Sequence, residues 1–158
     1  MVSKAYCQKR AREIRDQLDI RPPPPVDIEK MATDWGVAVE YVVRPSGFHG
    51  QLVRNRAVIE ISRGDHPHRQ RFTLGHELGH YVLGHSPVYS RTDDRDLNDP
   101  RQTNEREADI FAVEALMPEE WVREDWKALR DAKGMATLYY LSAETMWYRL
   151  EELRLVVV

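Results

Sequence analysis

Residues 72–85 read FTLGHELGHYVLGH, three histidines and a glutamate set among apolar residues and glycines. Leu74, Leu78 and Val82 recur at helical spacing and, with Phe72 and Leu83, would bury a helix. His76 and His80 stand four apart, so on that helix they share one face with Cβ atoms about 5–6 Å apart and can aim ring nitrogens at one point. Glu77 lies one step round the helix and overhangs that point instead of joining it. Gly75 and Gly79 thin one side, at a cost in helix propensity, and admit close approach of another element. Asp65 is the expected N-cap and Pro67 opens the first turn, which sets the helix from there to about Gly84.

Two histidines around a glutamate in this spacing form the HExxH pattern of metallohydrolases, with the histidines on the metal and the glutamate taking a proton from water. The bare pattern also arises by chance, when the histidines are simply satisfied core residues. The site needs a third ligand. His85 is a poor choice, because the metzincin template HExxHxxGxxH wants glycine and histidine where this chain has Leu83 and Ser86. His85 therefore reads as a bystander at the helix end. A better source is NEREADIFAVEALMP, residues 104–118. Glu105 shares a helical face there with Ala108, Asp109 and Ala112, a stripe small enough to lie against the first helix. Asp109, one turn on, is placed to hydrogen-bond the far nitrogen of a metal-bound histidine. Glu107 projects about 200° away and reads as a surface carboxylate, so Glu105 is favoured over it as the third ligand. Two histidines and a glutamate suit Zn2+ and leave one coordination position for water, the mark of a catalytic site.

Composition bounds the rest. The chain has 158 residues, enough for one domain with a proper core, and we expect a single domain over 1–158. Its 23 basic and 26 acidic residues give a net charge of −3, which does not favour direct nucleic-acid binding. Cys7 is the one cysteine, so neither a disulfide within the chain nor a cysteine metal cluster can form. There is no signal-peptide core and no apolar run long enough for a membrane span, hence the expectation of a cytoplasmic protein with no membrane partner.

Outward from the motif, residues 1–25 read as an N-terminal helix and a Pro-rich connector, PPPP at 22–25. A helix capped by Asp27 and closed by Gly36 follows, then a strand at VAVEYVV, and GQLVRN and RAVIEIS read as two further strands forming a hairpin around Asn55. Residues 86–100 read as an exposed loop, helices at about 101–116 and after Pro118 come next, and a helix pair hinged at Ser142 ends in a short β-like tail. The fold class is α+β: a small, mostly antiparallel three-stranded sheet with helices, and an HExxH helix packed on a second ligand-bearing helix.

RFTLGHELGHYVLGH followed by NEREADIFAVEALMP resembles the ImmA/IrrE family of metallopeptidases, and PPVDIEKMATDWGVAVEY and LSAETMWYRLEEL look like the same family's flanking segments. The resemblance spans about residues 22–155. It implies a thermolysin-like core with zinc held by His76, His80 and Glu105 and with Glu77 as general base and acid. It further implies a protein substrate, a helix-turn-helix repressor whose cleavage switches on a mobile element or a stress response. Asp109 stands where the family often has Asn, a change that keeps the hydrogen-bonding role. The chain leaves no room for the C-terminal sensor domain of the longer type, so the short, ImmA-like type is expected.

Two rivals remain at this level. One is a module that captures a repressor without cutting it. The other is a DNA-binding regulator using the terminal helix pair; against it, the second helix offers Glu144, Glu151 and Glu152 beside Arg149, while Met146, Leu150 and Leu153 read as a core stripe. A donor for the transition-state oxyanion is also needed. Tyr139, Tyr140, His49 and His85 are the candidates, and the sequence does not choose among them.

Overall fold

A computed structural model of the chain describes residues 2–86 and 100–157. The first helix, α1, runs Lys4–Gln17 and buries Cys7, Ala11, Ile14 and Arg15. The proline connector lies on the body of the protein, with Pro24 and Val26 buried. Helix α2, Ile28–Asp34, starts at Asp27, whose side chain accepts from the Lys30 N–H at 3.0 Å, and stops where Gly36 takes a positive φ of 94°.

Three strands follow: β1 Ala38–Val42, β2 Gly50–Val53 and β3 Val58–Ser62. The hairpin expected around Asn55 is present, with a single 3-10 turn over Arg54–Arg56 joining antiparallel β2 and β3. The sheet is mixed, however, where a mostly antiparallel one was expected. Its order is β1-β3-β2, and β1 pairs in parallel with β3 from Ala38↔Val58 to Val42↔Ser62. The physical reason is the 43–49 segment, which carries the chain past the position β3 later fills. Strand β3 is thereby central, with Val58, Ile59 and Ile61 buried, and β2 is left at an edge.

Helix α3, Pro67–Val82, carries the HExxH motif. Its cap is His66, whose ring accepts from the His68 N–H at 3.0 Å, and not Asp65, whose carboxylate is engaged by His49. Helix α4, Pro100–Leu116, packs antiparallel on α3 and is covered on another side by α1. The two glycines of α3 set how near it comes. A Cβ at Gly75 would stand 3.2 Å from the Ala112 Cβ, and one at Gly79 would stand 3.1 Å from the Ala108 carbonyl oxygen and from the Phe111 Cβ. Real side chains there would push the helices apart, so glycine against alanine is what brings the two motif helices together.

Helices α5 Glu119–Leu129, α6 Ala132–Tyr139 and α7 Ala143–Glu152 close the core. The α6–α7 pair turns at Ser142, whose hydroxyl accepts from the Thr145 N–H at 3.1 Å, and α7 buries Met146 and Leu150, with Leu153 just beyond it. The C-terminal tail is not a strand. Arg154 adopts a φ of 58° and the Leu155 N–H returns to the Leu150 carbonyl at 2.9 Å, so the tail caps α7. Beneath these helices Glu114, Arg15 and Arg149 form a buried charged cluster, with Glu114 and Arg149 side chains each 1% exposed. Arg149 also donates to the Met117 carbonyl, so its charge and its donors are both satisfied. Residues 87–99, the body of the expected loop, lie outside the described residues. Among the described residues no helix is long and apolar enough to cross a membrane.

Candidate metal centre

The close approach of α3 and α4 brings His76, His80 and Glu105 to one point. One Glu105 oxygen lies 2.9 Å from His76 Nε2, the other 2.9 Å from His80 Nε2, and the two ring nitrogens are 3.1 Å apart. Among the described residues this is the group of His, Cys, Asp and Glu side chains whose ligand atoms converge, all within 4.8 Å of one another. A tetrahedral ion with bonds of about 2.0–2.1 Å holds its donors roughly 3.3–3.4 Å apart, so the three atoms need open by only a few tenths of an ångström to accept one. Two imidazoles and a carboxylate match zinc in both donor type and number. The residues fit the metal that the motif implies.

Asp109 approaches the other side of His76, with Oδ1 2.7 Å from Nδ1. That contact keeps a ring proton on Nδ1, so Nε2 is the nitrogen that would face a metal ion. Without a metal the ring holds a second proton, on Nε2 toward Glu105. Burial disfavours a charged His76, yet the hydrogen bonds it donates to Asp109 and Glu105 outweigh it and raise its pKa to about 10. Glu105 is held far below the ordinary carboxylate range by the hydrogen bonds it accepts from His76 and His80. A proton shared in such a pair is what a divalent cation displaces on binding.

Glu77 stands half-buried beside the cluster, not in it. Burial raises its pKa above the usual carboxylate range, while the His80 and His76 rings and a hydrogen bond from the Leu52 backbone N–H pull the other way. That amide belongs to β2, which runs along α3 in step with it. Gly50 lies on Thr73, so closely that a Cβ would come within 2.5 Å of the Thr73 methyl. Leu52 meets Glu77 two strand residues later, and the guanidinium of Arg54 then donates to the His80 carbonyl at 2.7 Å. Two strand residues advance about 6.6 Å and the four helix residues from Thr73 to Glu77 about 6 Å, so strand and helix keep step up to the motif. The edge of the sheet thus forms one wall above the HExxH face.

The expected oxyanion donors are placed unequally. Tyr139 is fully buried and its hydroxyl donates to Asp125 at 2.5 Å. Tyr140 packs its ring on His68 and under Arg71, near the start of α3. His49 pairs through Nδ1 with Asp65 at 2.8 Å. None of these three makes a hydrogen bond or ion pair with His76, Glu77, His80 or Glu105 among the described residues. His85 does approach the cluster, from behind: its Nδ1 is 2.9 Å from His80 Nδ1, the ring edge turned away from Glu105. Glu107 accepts from the other nitrogen of His85 at 3.0 Å. Neither residue is the bystander or the surface carboxylate expected. The 200° offset of Glu107 from Glu105 turns it not to solvent but toward α1, where Oε2 meets the Ser3 N–H and the Cys7 thiol.

The sequence model of the M78 peptidase family, described as an IrrE N-terminal-like domain, matches residues 38–151. The chain belongs to this family. Membership in the M78 family supports a metallopeptidase-type enzyme, and the match takes in both α3 and α4. None of the curated proteins compared with the chain matches it. A solved structure described as a Mycobacterium tuberculosis transcriptional regulator superposes with a TM-score of 0.68 over 92% of this chain, at 15% identity. At that identity the likeness speaks to the fold alone. The M78 chain spans about half of that protein's length, 46%.

Proposed function

We propose that the protein is a zinc-dependent endopeptidase that hydrolyses a peptide bond in a protein substrate, and that the substrate is a helix-turn-helix transcriptional repressor met in the cytoplasm. The observation that carries the reading is the convergence of His76, His80 and Glu105 with a half-buried Glu77 alongside. His76, His80 and Glu105 would hold the ion. Zinc bound there supplies Lewis acidity toward water and a peptide carbonyl. Glu77, with its pKa raised by burial, accepts a proton from the attacking water and returns it to the departing amine.

The position of β2 supports a polypeptide as substrate. It pairs with β3 on one side, and its other edge carries no strand among the described residues. An extended peptide laid along such an edge gains main-chain hydrogen bonds, the mode known as strand addition. The repressor assignment rests on the resemblance to the ImmA/IrrE family and is weighed against capture without cleavage. Glu77→Gln separates the two. It should keep the metal and lower cleavage of a cognate repressor by about 10²–10⁴-fold. Loss of repressor from its operator with undiminished vigour in that variant, the repressor remaining intact, makes the protein a binding module and not a peptidase.

A further inference from the structure

Once His80 holds a cation through Nε2, the hydrogen bonds behind it can run in only one direction. Its Nε2 faces His76 and Glu105, so that nitrogen must present a lone pair to any cation and the ring proton must sit on Nδ1. Nδ1 lies 2.9 Å from His85 Nδ1, and only one of two facing nitrogens can carry the hydrogen. With a cation on Nε2, His80 therefore donates and His85 accepts. The His85 proton is then on Nε2, which donates to Glu107 Oε1 at 3.0 Å. The remaining oxygen of Glu107 receives the Ser3 N–H at 3.4 Å and the Cys7 S–H at 3.7 Å, both from the start of α1. Each hydrogen in the chain points away from the cluster and toward the carboxylate.

The backbone builds this arrangement. Gly84 takes a φ of 70°, its N–H bonds the Tyr81 carbonyl at 3.2 Å and the His85 N–H bonds the His80 carbonyl at 3.1 Å. These are the paired bonds of a Schellman cap, and they fold His85 back under the last turn of α3. There its side chain is 9% exposed and that of Glu107 17%, so neither contact is an incidental surface pairing.

We propose that Glu107 and His85 are positioning residues that fix the tautomer and ring orientation of His80, with α1 as their anchor. The inference rests on the metal reading of the cluster and extends it. The two histidine ligands are then held differently: His76 by Asp109 directly, His80 by a carboxylate acting through a neutral imidazole. The anchor α1 lies before the stretch that the family model matches.

The test is made on the full chain with zinc alone as the probe. Long-range 1H–15N correlation spectra of the zinc-loaded wild type should show His80 protonated on Nδ1 and His85 neutral and protonated on Nε2. A proton on His85 Nδ1, or His80 bound through Nδ1, overturns the proposal. In parallel, chelator competition at fixed pH should show zinc affinity about 10–100-fold weaker in His85→Phe, as for other partners that orient metal ligands, and weaker by a smaller factor in Glu107→Gln. If His85→Phe fails to fold, Glu107→Gln decides alone, since it preserves shape and removes only the charge. Wild-type affinity in either folded variant overturns the relay while leaving the metal site standing. A wild type that binds no zinc overturns the metal reading itself, and the relay with it.

Discussion

Replacing Gly79 by alanine tests whether helix contact, and not helix stability, sets the metal centre. An added Cβ would meet the Ala108 carbonyl oxygen and Phe111 Cβ and Cδ1, all at 3.1 Å. Non-bonded carbons prefer about 3.5–4.0 Å, so α4 must retreat by roughly 0.5 Å. Overpacking of this kind costs about 1–3 kcal/mol. Alanine recovers about 1 kcal/mol of helix propensity over glycine. The net loss is thus roughly 0–2 kcal/mol, and with about 2–4 °C of melting temperature per kcal/mol at this size the shift stays below roughly 8 °C. Metal binding is less forgiving, because ligand distances must hold to about 0.2 Å. Ala108 is one turn from Glu105, whose oxygens now lie 2.9 Å from each histidine. Zinc affinity, read by chelator competition, should fall by about tenfold or more, on the scale seen when ligand support is lost. Gly75→Ala should do less, since one of its neighbours is the flexible end of Leu116 and the contact is a further turn from Glu105. A Gly79→Ala protein that is more stable and binds zinc as tightly as wild type refutes the reasoning.

Other outcomes follow from the charges. In the metal-free protein the raised His76 pKa contributes stability that is complete below its unfolded value near 6.5 and is lost as pH climbs through about 10. The lowered Glu105 pKa contributes stability that is complete above its unfolded value near 4.5 and is lost only in stronger acid. Calorimetry should therefore show a downward component of melting temperature between pH 6.5 and 10 that disappears in Glu105→Gln, Asp109→Asn together. Zinc affinity should rise across the same window, as protons cease to compete. Glu114→Ala should destabilise the chain by about 3–5 kcal/mol in urea unfolding, because it leaves Arg149 buried without its carboxylate. A loss under about 1 kcal/mol would mean that Met117 and Glu152 suffice to hold Arg149.

Much of this centre was legible in residue order because it depends on helical periodicity. The four-residue step of His76 and His80, the small stripe of Ala108 and Ala112, and the reach of Asp109 all follow from 3.6 residues per turn. Gly75 and Gly79 announced a close neighbour, and α4 is that neighbour. What escaped depends on which element covers which face. Glu107 is displaced by 200° from Glu105 on any helix, but only the placement of α1 decides whether that direction meets water or protein. His85 fails every linear metal template because it acts through a backbone reversal at Gly84. The parallel pairing of β1 is hidden for a similar reason: strand alternation identifies a strand but not its neighbour. At the start of α3, Asp65 and His66 both suit a cap, and the competing demand of His49 decides between them.

The central claim is that α3 and α4 together hold one zinc ion through two imidazoles and a carboxylate. Zinc K-edge X-ray absorption on the purified chain, beside Glu105→Ala, tests it most directly. The account predicts one zinc per chain, a shell of nitrogen and oxygen at about 2.0–2.1 Å with the outer scattering of two imidazoles, and a shell altered by Glu105→Ala. A sulfur neighbour, the scattering of a single imidazole, or a spectrum that Glu105→Ala leaves unchanged would contradict it.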